Sequence, residues 1–177
     1  QDLKSIYGAP INALGINNNV FWVYAHPTKY NQLVKVGVEP RTSYFRIRNL
    51  GVTGSARSKR TMYARLIPGT RTIVVSGILP SSQNYSQHII AEKPAEVTAT
   101  IFKEELQRHG IAVKGNVQVE HNGDVSPEWR RKRKLLAEHE SPPLIRALEI
   151  INKHSQNLHA EMLLRTLGAE FKGEGSN

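Results

Sequence analysis

Two residues near the C-terminal end have types and spacing that could do chemistry. Ser155 and Asn157 stand two apart in Asn152-Lys153-His154-Ser155-Gln156-Asn157-Leu158, at the mouth of an apolar helical sequence that continues through Met162, Leu163, Leu164 and Leu167. A hydroxyl can relay a proton, and a carboxamide can donate to and accept from a bound amide. Inside one continuous helix, positions i and i+2 point about 200° apart and could not serve one cleft. A turn between two helices removes that constraint, and the sequence permits one. Leu144, Ile145, Leu148 and Ile151 form one apolar stripe at spacings of three and four, Leu158 to Leu167 form the next, and a polar stretch separates them. The expectation is two helices, over 142–153 and about 157–167, with a buried stripe on the first and Ser155 at the break. The competing structural reading is that Ser155 or Asn157 merely caps the second helix, since both are favoured capping residues.

Other chemistry is thin. The seven histidines include no HExxH, and His154 and His159, five apart, are poorly spaced to share a metal on a helix. There is no cysteine, so disulfides and thiolate-bound metals are excluded. No phosphate-binding Gly-x-x-x-x-Gly-Lys loop and no Gly-x-Ser-x-Gly elbow occurs. Neither a cofactor nor a metal is expected.

The chain of 177 residues is long enough for one ordinary domain or two small ones. No run approaches the ~18 apolar residues that a membrane helix needs, and the N-terminus lacks a signal-peptide pattern. The formal net charge is +9, which favours polyanionic surroundings. Five cations follow Trp129 in Arg130-Arg131-Lys132-Arg133-Lys134, and Arg57-Ser58-Lys59-Arg60 is a lesser cluster. Without a zinc-finger spacing or an aromatic RNA-binding pattern these read as solvated basic segments, so no nucleic-acid partner is expected.

Elements that would position Ser155 and Asn157 follow an amino-terminal β region. Residues 19–25, 32–38, 43–49 and 71–78 read as strands, rich in β-branched and aromatic residues, with Pro40, Gly51-Val52-Thr53-Gly54 and Pro68-Gly69 as punctuation. Strands at this spacing imply a small antiparallel unit. A helix should start at Lys93-Pro94 and stop at Gly110. Residues 111–113 and 116–120 read as strands, His121-Asn122-Gly123-Asp124 as a turn, and Ser141-Pro142-Pro143 as the opening of the next helix.

Taken together, Ser141-Pro142-Pro143-Leu144, then Asn152 to Glu161, then Leu164-Arg165-Thr166-Leu167-Gly168 resemble the second-motif region of the class C penicillin-binding proteins, bacterial D-alanyl-D-alanine carboxypeptidases and endopeptidases. Tyr7 to Leu14 with Asn17-Asn18-Asn19-Val20 is similar to the start of that family's accessory β region, and Lys103 to Gly115 to its end. The resemblance runs in order along nearly the whole chain. It implies an α+β fold, a small antiparallel β-rich accessory region followed by helices of a penicillin-binding, serine β-lactamase-like domain. Residues 1–140 would be the accessory insertion, which could divide near residue 80, and 141–177 part of the penicillin-binding domain.

In that family Ser-x-x-Lys supplies the nucleophile, Ser-x-Asn a proton relay and a substrate-holding amide, and Lys-Thr-Gly the opposite wall. The resemblance therefore assigns catalytic roles to Ser155 and Asn157. It implies peptidoglycan stem peptides as substrate, β-lactam antibiotics as acylating inhibitors, and an extracytoplasmic location, on the periplasmic or cell-wall side. No serine here has lysine three residues on, and no Lys-Thr-Gly or Lys-Ser-Gly occurs. The chain is thus expected to be a central stretch of such an enzyme, inactive alone. A degenerate homologue, a non-catalytic wall-binding module with a basic surface for anionic glycans, and a nucleic-acid-binding domain resting on charge alone stay open. Gln156 and His159 depart from the residues commoner in the family, Asp or Asn and Tyr respectively.

Overall fold

In Val20–His26 (β1) every second side chain turns inward. Phe21, Val23 and Ala25 are fully buried while Trp22 and His26 face out, the two-residue period of a strand with one face on a core. The computed structural model describes residues 9–120, 128, 131, 134–173 and 175. It divides into two compact units, Gln1–Val117 and Gln118–Asn177.

The first unit carries two three-stranded sheets. In one, β1 lies between Lys35–Glu39 (β2) and Tyr85–Ile90 (β6), both antiparallel to it, with Val23 opposite Val38 on one side and Gln87 on the other. In the other, Thr72–Pro80 (β5) is central, between Arg46–Gly54 (β3) and Tyr63–Leu66 (β4). β4 is antiparallel to β5, whereas β3 runs parallel to it with Ile47 opposite Ile73. The parallel pairing follows from chain order: β3 crosses to β4 on the far edge, and a short turn then returns the chain into β5 between them. Helix Pro94–Arg108 (α1) buries Ala95, Val97 and Ile101. Phe21, Val23, Ile73, Val75, Leu79 and Val97 belong to one shared core, each such side chain worth roughly 1.5–3 kcal/mol of burial.

Both ends of α1 follow from its sequence. Pro94 has no N–H to leave unpaired in the first turn. At the other end Gly110, at φ 80, donates to Gln107 O at 3.0 Å while Ile111 donates to Leu106 O at 2.9 Å, the paired closure that needs a left-handed residue.

The second unit contains Leu144–His154 (α2) and Asn157–Lys172 (α3). The architecture is α+β, with the helix pair and the break between its helices where the sequence places them. Several local expectations fail. Gly51 to Gly54 is not a turn but the end of β3, and β4 and β6 are strands the pattern did not reveal. Residues 111–120 form no strand. The stripe of α2 is not buried: Leu144 and Ile145 are exposed, Leu148 and Ile151 half-buried, because two helices alone cannot close a core over it. The turn at His121–Asp124 and Trp129, Arg130, Lys132 and Arg133 of the basic run lie outside the described residues.

Candidate active site

The helix break is built by one residue in the left-handed region. Ser155 ends α2 at φ 50, ψ 51, and its N–H and that of Gln156, at 3.1 Å, both point to Ile151 O. Gln156 is non-helical at φ −84, ψ 88, and its carbonyl accepts from Ala160 N at 3.1 Å as the first bond of α3. Asn157 is the first residue of α3. Ser155 and Asn157 therefore flank a change of chain direction instead of sitting on opposite sides of one helix.

The capping reading finds no hydrogen bond to rest on. Gln156, not Ser155 or Asn157, occupies the cap position of α3, and its side chain makes no capping bond. Among the described residues neither the Ser155 hydroxyl nor the Asn157 carboxamide has a hydrogen-bond partner, and both residues are exposed. They are thus available to a ligand. No serine of the sequence is followed by a lysine three residues on.

Remaining candidates resolve into ordinary roles. His26 Nδ1 pairs with Asn84 Oδ1 at 3.0 Å, His109 Nδ1 lies 2.8 Å from Glu105 O at the end of α1, and His88 meets the edge of Trp22. Arg57, Lys59 and Arg60 are exposed in the connection between β3 and β4. Among the described residues no group of three histidines or carboxylates is placed to hold a metal, and no helix is long and apolar enough to cross a membrane.

One charged cluster escaped the sequence reading. Glu96, in the first turn of α1, accepts from Arg71 Nη2 at 2.7 Å and from Lys93 Nζ at 3.1 Å, and the Tyr44 hydroxyl donates to it at 3.3 Å. The Arg71 guanidinium lies 4.3 Å from the centre of the Tyr44 ring. Burial pushes the Glu96 carboxyl up, but hydrogen bonds from Lys93 and Arg71 outweigh it and hold it below the ordinary value. Burial, with Glu96 beside it, pushes the Tyr44 hydroxyl up. Lys93 is three residues from Glu96, but Arg71 and Tyr44 are 25 and 52 residues away in sequence, so no local spacing could have shown the whole cluster.

The sequence pattern of the D-Ala-D-Ala carboxypeptidase 3 (S13) family matches residues 1–177. The chain belongs to that family. It is 31% identical over 183 residues to the D-alanyl-D-alanine carboxypeptidase of Actinomadura sp. (strain R39), covering 99% of this chain and 33% of that protein. The chain thus spans about a third of that curated relative's length. Two solved structures of penicillin binding protein 4 (dacB) from Haemophilus influenzae share its fold. One, complexed with a novel β-lactam, superposes with a TM-score of 0.67 at 18% identity over 96% of this chain and 39% of that one. The other gives 0.69 at 21% identity over 99% and 38%. The α+β architecture is therefore that of penicillin-binding proteins, and the family is one of peptidases.

Proposed function

We propose that these residues form part of a serine-type D-alanyl-D-alanine carboxypeptidase or endopeptidase, which acts outside the cytoplasm on peptidoglycan stem peptides and is inhibited by β-lactams. The observation that carries this reading is the family match along residues 1–177. The helix break with Ser155 and Asn157 exposed supports the placement of the second motif. Residues 1–140 read as the accessory insertion and 141–177 as part of the penicillin-binding domain.

The chemistry is acyl transfer. A serine hydroxyl adds to the carbonyl carbon of the penultimate D-alanine, the C–N bond breaks, and the terminal D-alanine leaves as an amine that must gain a proton. Ser155 is assigned to relay that proton and Asn157 to hold the substrate amide. Water then hydrolyses the ester. Nucleophile, lysine and Lys-Thr-Gly wall must come from residues other than these 177.

The deciding experiment uses the full-length protein containing this sequence. A fluorescent penicillin should label it in stoichiometric amount, and a peptide ending in D-Ala-D-Ala should release D-alanine. A full-length protein that neither labels nor releases D-alanine, yet binds peptidoglycan, would make the non-catalytic wall-binding reading correct.

A further inference from the structure

In the first unit an open cleft of about 460 Å³ lies where the start of β3, the turn between β4 and β5, and the segment entering α1 meet. Its volume falls in the range of small-molecule sites. The floor is aromatic and fixed: Tyr44 and Phe45 are buried, with ring centres 5.0 Å apart and planes at 89°. Three cations line the rim, Arg46, Arg71 and Lys93. Arg71 and Lys93 are held by Glu96. Arg46 is exposed and, among the described residues, pairs with no carboxylate. The half-buried Glu92, also in the lining, accepts from Gly69 N–H through Oε2 at 2.8 Å, and its Oε1 has no hydrogen-bond partner among the described residues.

This arrangement selects by charge. Three cations stand with two carboxylates, Glu92 and Glu96, so the cluster keeps one net positive charge, and Arg46 is the cation that pairs with neither carboxylate. A single carboxylate matches it and can engage the guanidinium with both oxygens. A dianion would meet the negative Glu92 with no second unpaired cation, which disfavours it. The unoccupied Glu92 oxygen supplies an acceptor, so the fitting ligand also carries a hydroxyl or an N–H close to its carboxylate. We propose that the cleft binds a monocarboxylate of this kind, a sugar acid or a peptide C-terminus, with Arg46 as its principal contact. The site stands in the first unit, and the proposal does not depend on the activity proposed for the enzyme.

The test titrates the isotopically labelled full-length protein containing this sequence while following the backbone amides of these residues by NMR. The probes are glucuronic acid against glucose, and acetyl-glycyl-alanine against its C-terminal amide. The acids should shift Gly69, Thr70 and Lys93, and the neutral compounds should not. Whichever acid binds more tightly names the source of the carboxylate. Arg46→Gln should weaken binding by roughly tenfold or more, whereas Lys59→Gln, an equal loss of charge in an exposed connection, should change it less than about twofold. If Arg46→Gln fails to fold, Arg46→Lys serves instead: it keeps the charge, loses the two-pronged contact, and should still bind several-fold more weakly. The proposal is overturned if neither acid binds up to roughly 10 mM, if the neutral compounds bind equally, if the shifts gather around Arg57 and Arg60, or if the Arg46 variant and Lys59→Gln behave alike.

Discussion

Ser155 shares a left-handed backbone with four other non-glycine residues among those described, Asn17, Asn18, Asn19 and Asn31. Asparagine tolerates that region through local bonds of its side chain, as where Asn17 Nδ2 donates to Val20 O at 2.8 Å. Ser155 has no such compensation and holds its φ of 50 at a cost of order 1 kcal/mol. Ser155→Gly should therefore keep or raise stability, by up to about 1 kcal/mol in chemical denaturation, while Ser155→Ala should not. A glycine variant clearly less stable than wild type would mean that the hydroxyl stabilises the break. Under the proposed function the glycine also removes the relay, so stability and activity should move in opposite directions. Glu96 gives a second test at this scale. Its folded-state pKa lies below the ordinary 4.5, so its contribution is complete above the unfolded value and is lost as pH falls through the folded one. Arg71 and Lys93 are more than half exposed, which limits the contribution to roughly 1 kcal/mol or less. Glu96→Gln should accordingly flatten the acid limb of the stability profile below about pH 4.5; an unchanged limb would show that the pairs contribute nothing.

At the scale of elements, β5 is the strand on which the second sheet depends, and Gly77 is its weak point. Its φ is 106, and a Cβ there would sit 2.3 Å from Thr61 O, a backbone atom that cannot swing aside. That neighbour is fixed by Thr61 N to Ile78 O at 3.0 Å and by Ile78 N to Thr61 Oγ1 at 2.9 Å. Gly77→Ala should lose about 3 kcal/mol or more in urea denaturation. Gly51→Ala should lose less, because a Cβ there meets only the side chains of Met62 and Val34. The helices of the second unit bury no residue, and helices of this length gain most of their stability from packing. Their amides should exchange with solvent at least roughly a hundredfold faster than those of β1 and β5; equal protection would mean that the pair is stable without a core. These contrasts mark what could be read in advance. β1 was legible because its alternation is local, α1 because Pro94 and Gly110 act on their own turns, and the break at Ser155 because four polar residues interrupt two apolar stripes. β4 and β6 were not, since Tyr-Ala-Arg-Leu and Tyr-Ser-Gln-His-Ile-Ile become strands only by pairing with β5 and β1. Gly51 and Gly54 misled in the same way: they look like turn residues but serve close approach inside a strand. The Arg46 cleft is assembled from three separate segments, and no periodicity records that.

At the scale of the whole molecule, the chain spans about a third of its curated relative, and under the proposed function Ser155-Gln156-Asn157 is one of three motifs that acyl transfer needs, the other two having no match in these 177 residues. A relay without a nucleophile makes no acyl-enzyme. The isolated 177 residues should not hydrolyse a D-Ala-D-Ala peptide and should not be labelled by penicillin; stoichiometric labelling would show that a serine within them is the nucleophile. The decisive variant is Ser155→Ala in the full-length protein. Departure of an amine as an anion is prohibitively unfavourable, so acylation by peptide requires a proton at the nitrogen as the C–N bond breaks. A positioned acid of this kind contributes roughly 10²–10⁴-fold, and the acylation rate should fall by about that factor. A lost helix cap would act differently. It would cost about 1 kcal/mol of stability and leave the rate per folded molecule untouched. Measuring melting point and acylation rate on the same variant separates the two. With no capping bond at Gln156 and the Ser155 hydroxyl free of partners among the described residues, the expected result is a slowed rate with a nearly unchanged melting point. A lowered melting point with a wild-type rate per folded molecule would instead assign Ser155 to the architecture of the helix break and leave the relay to another group.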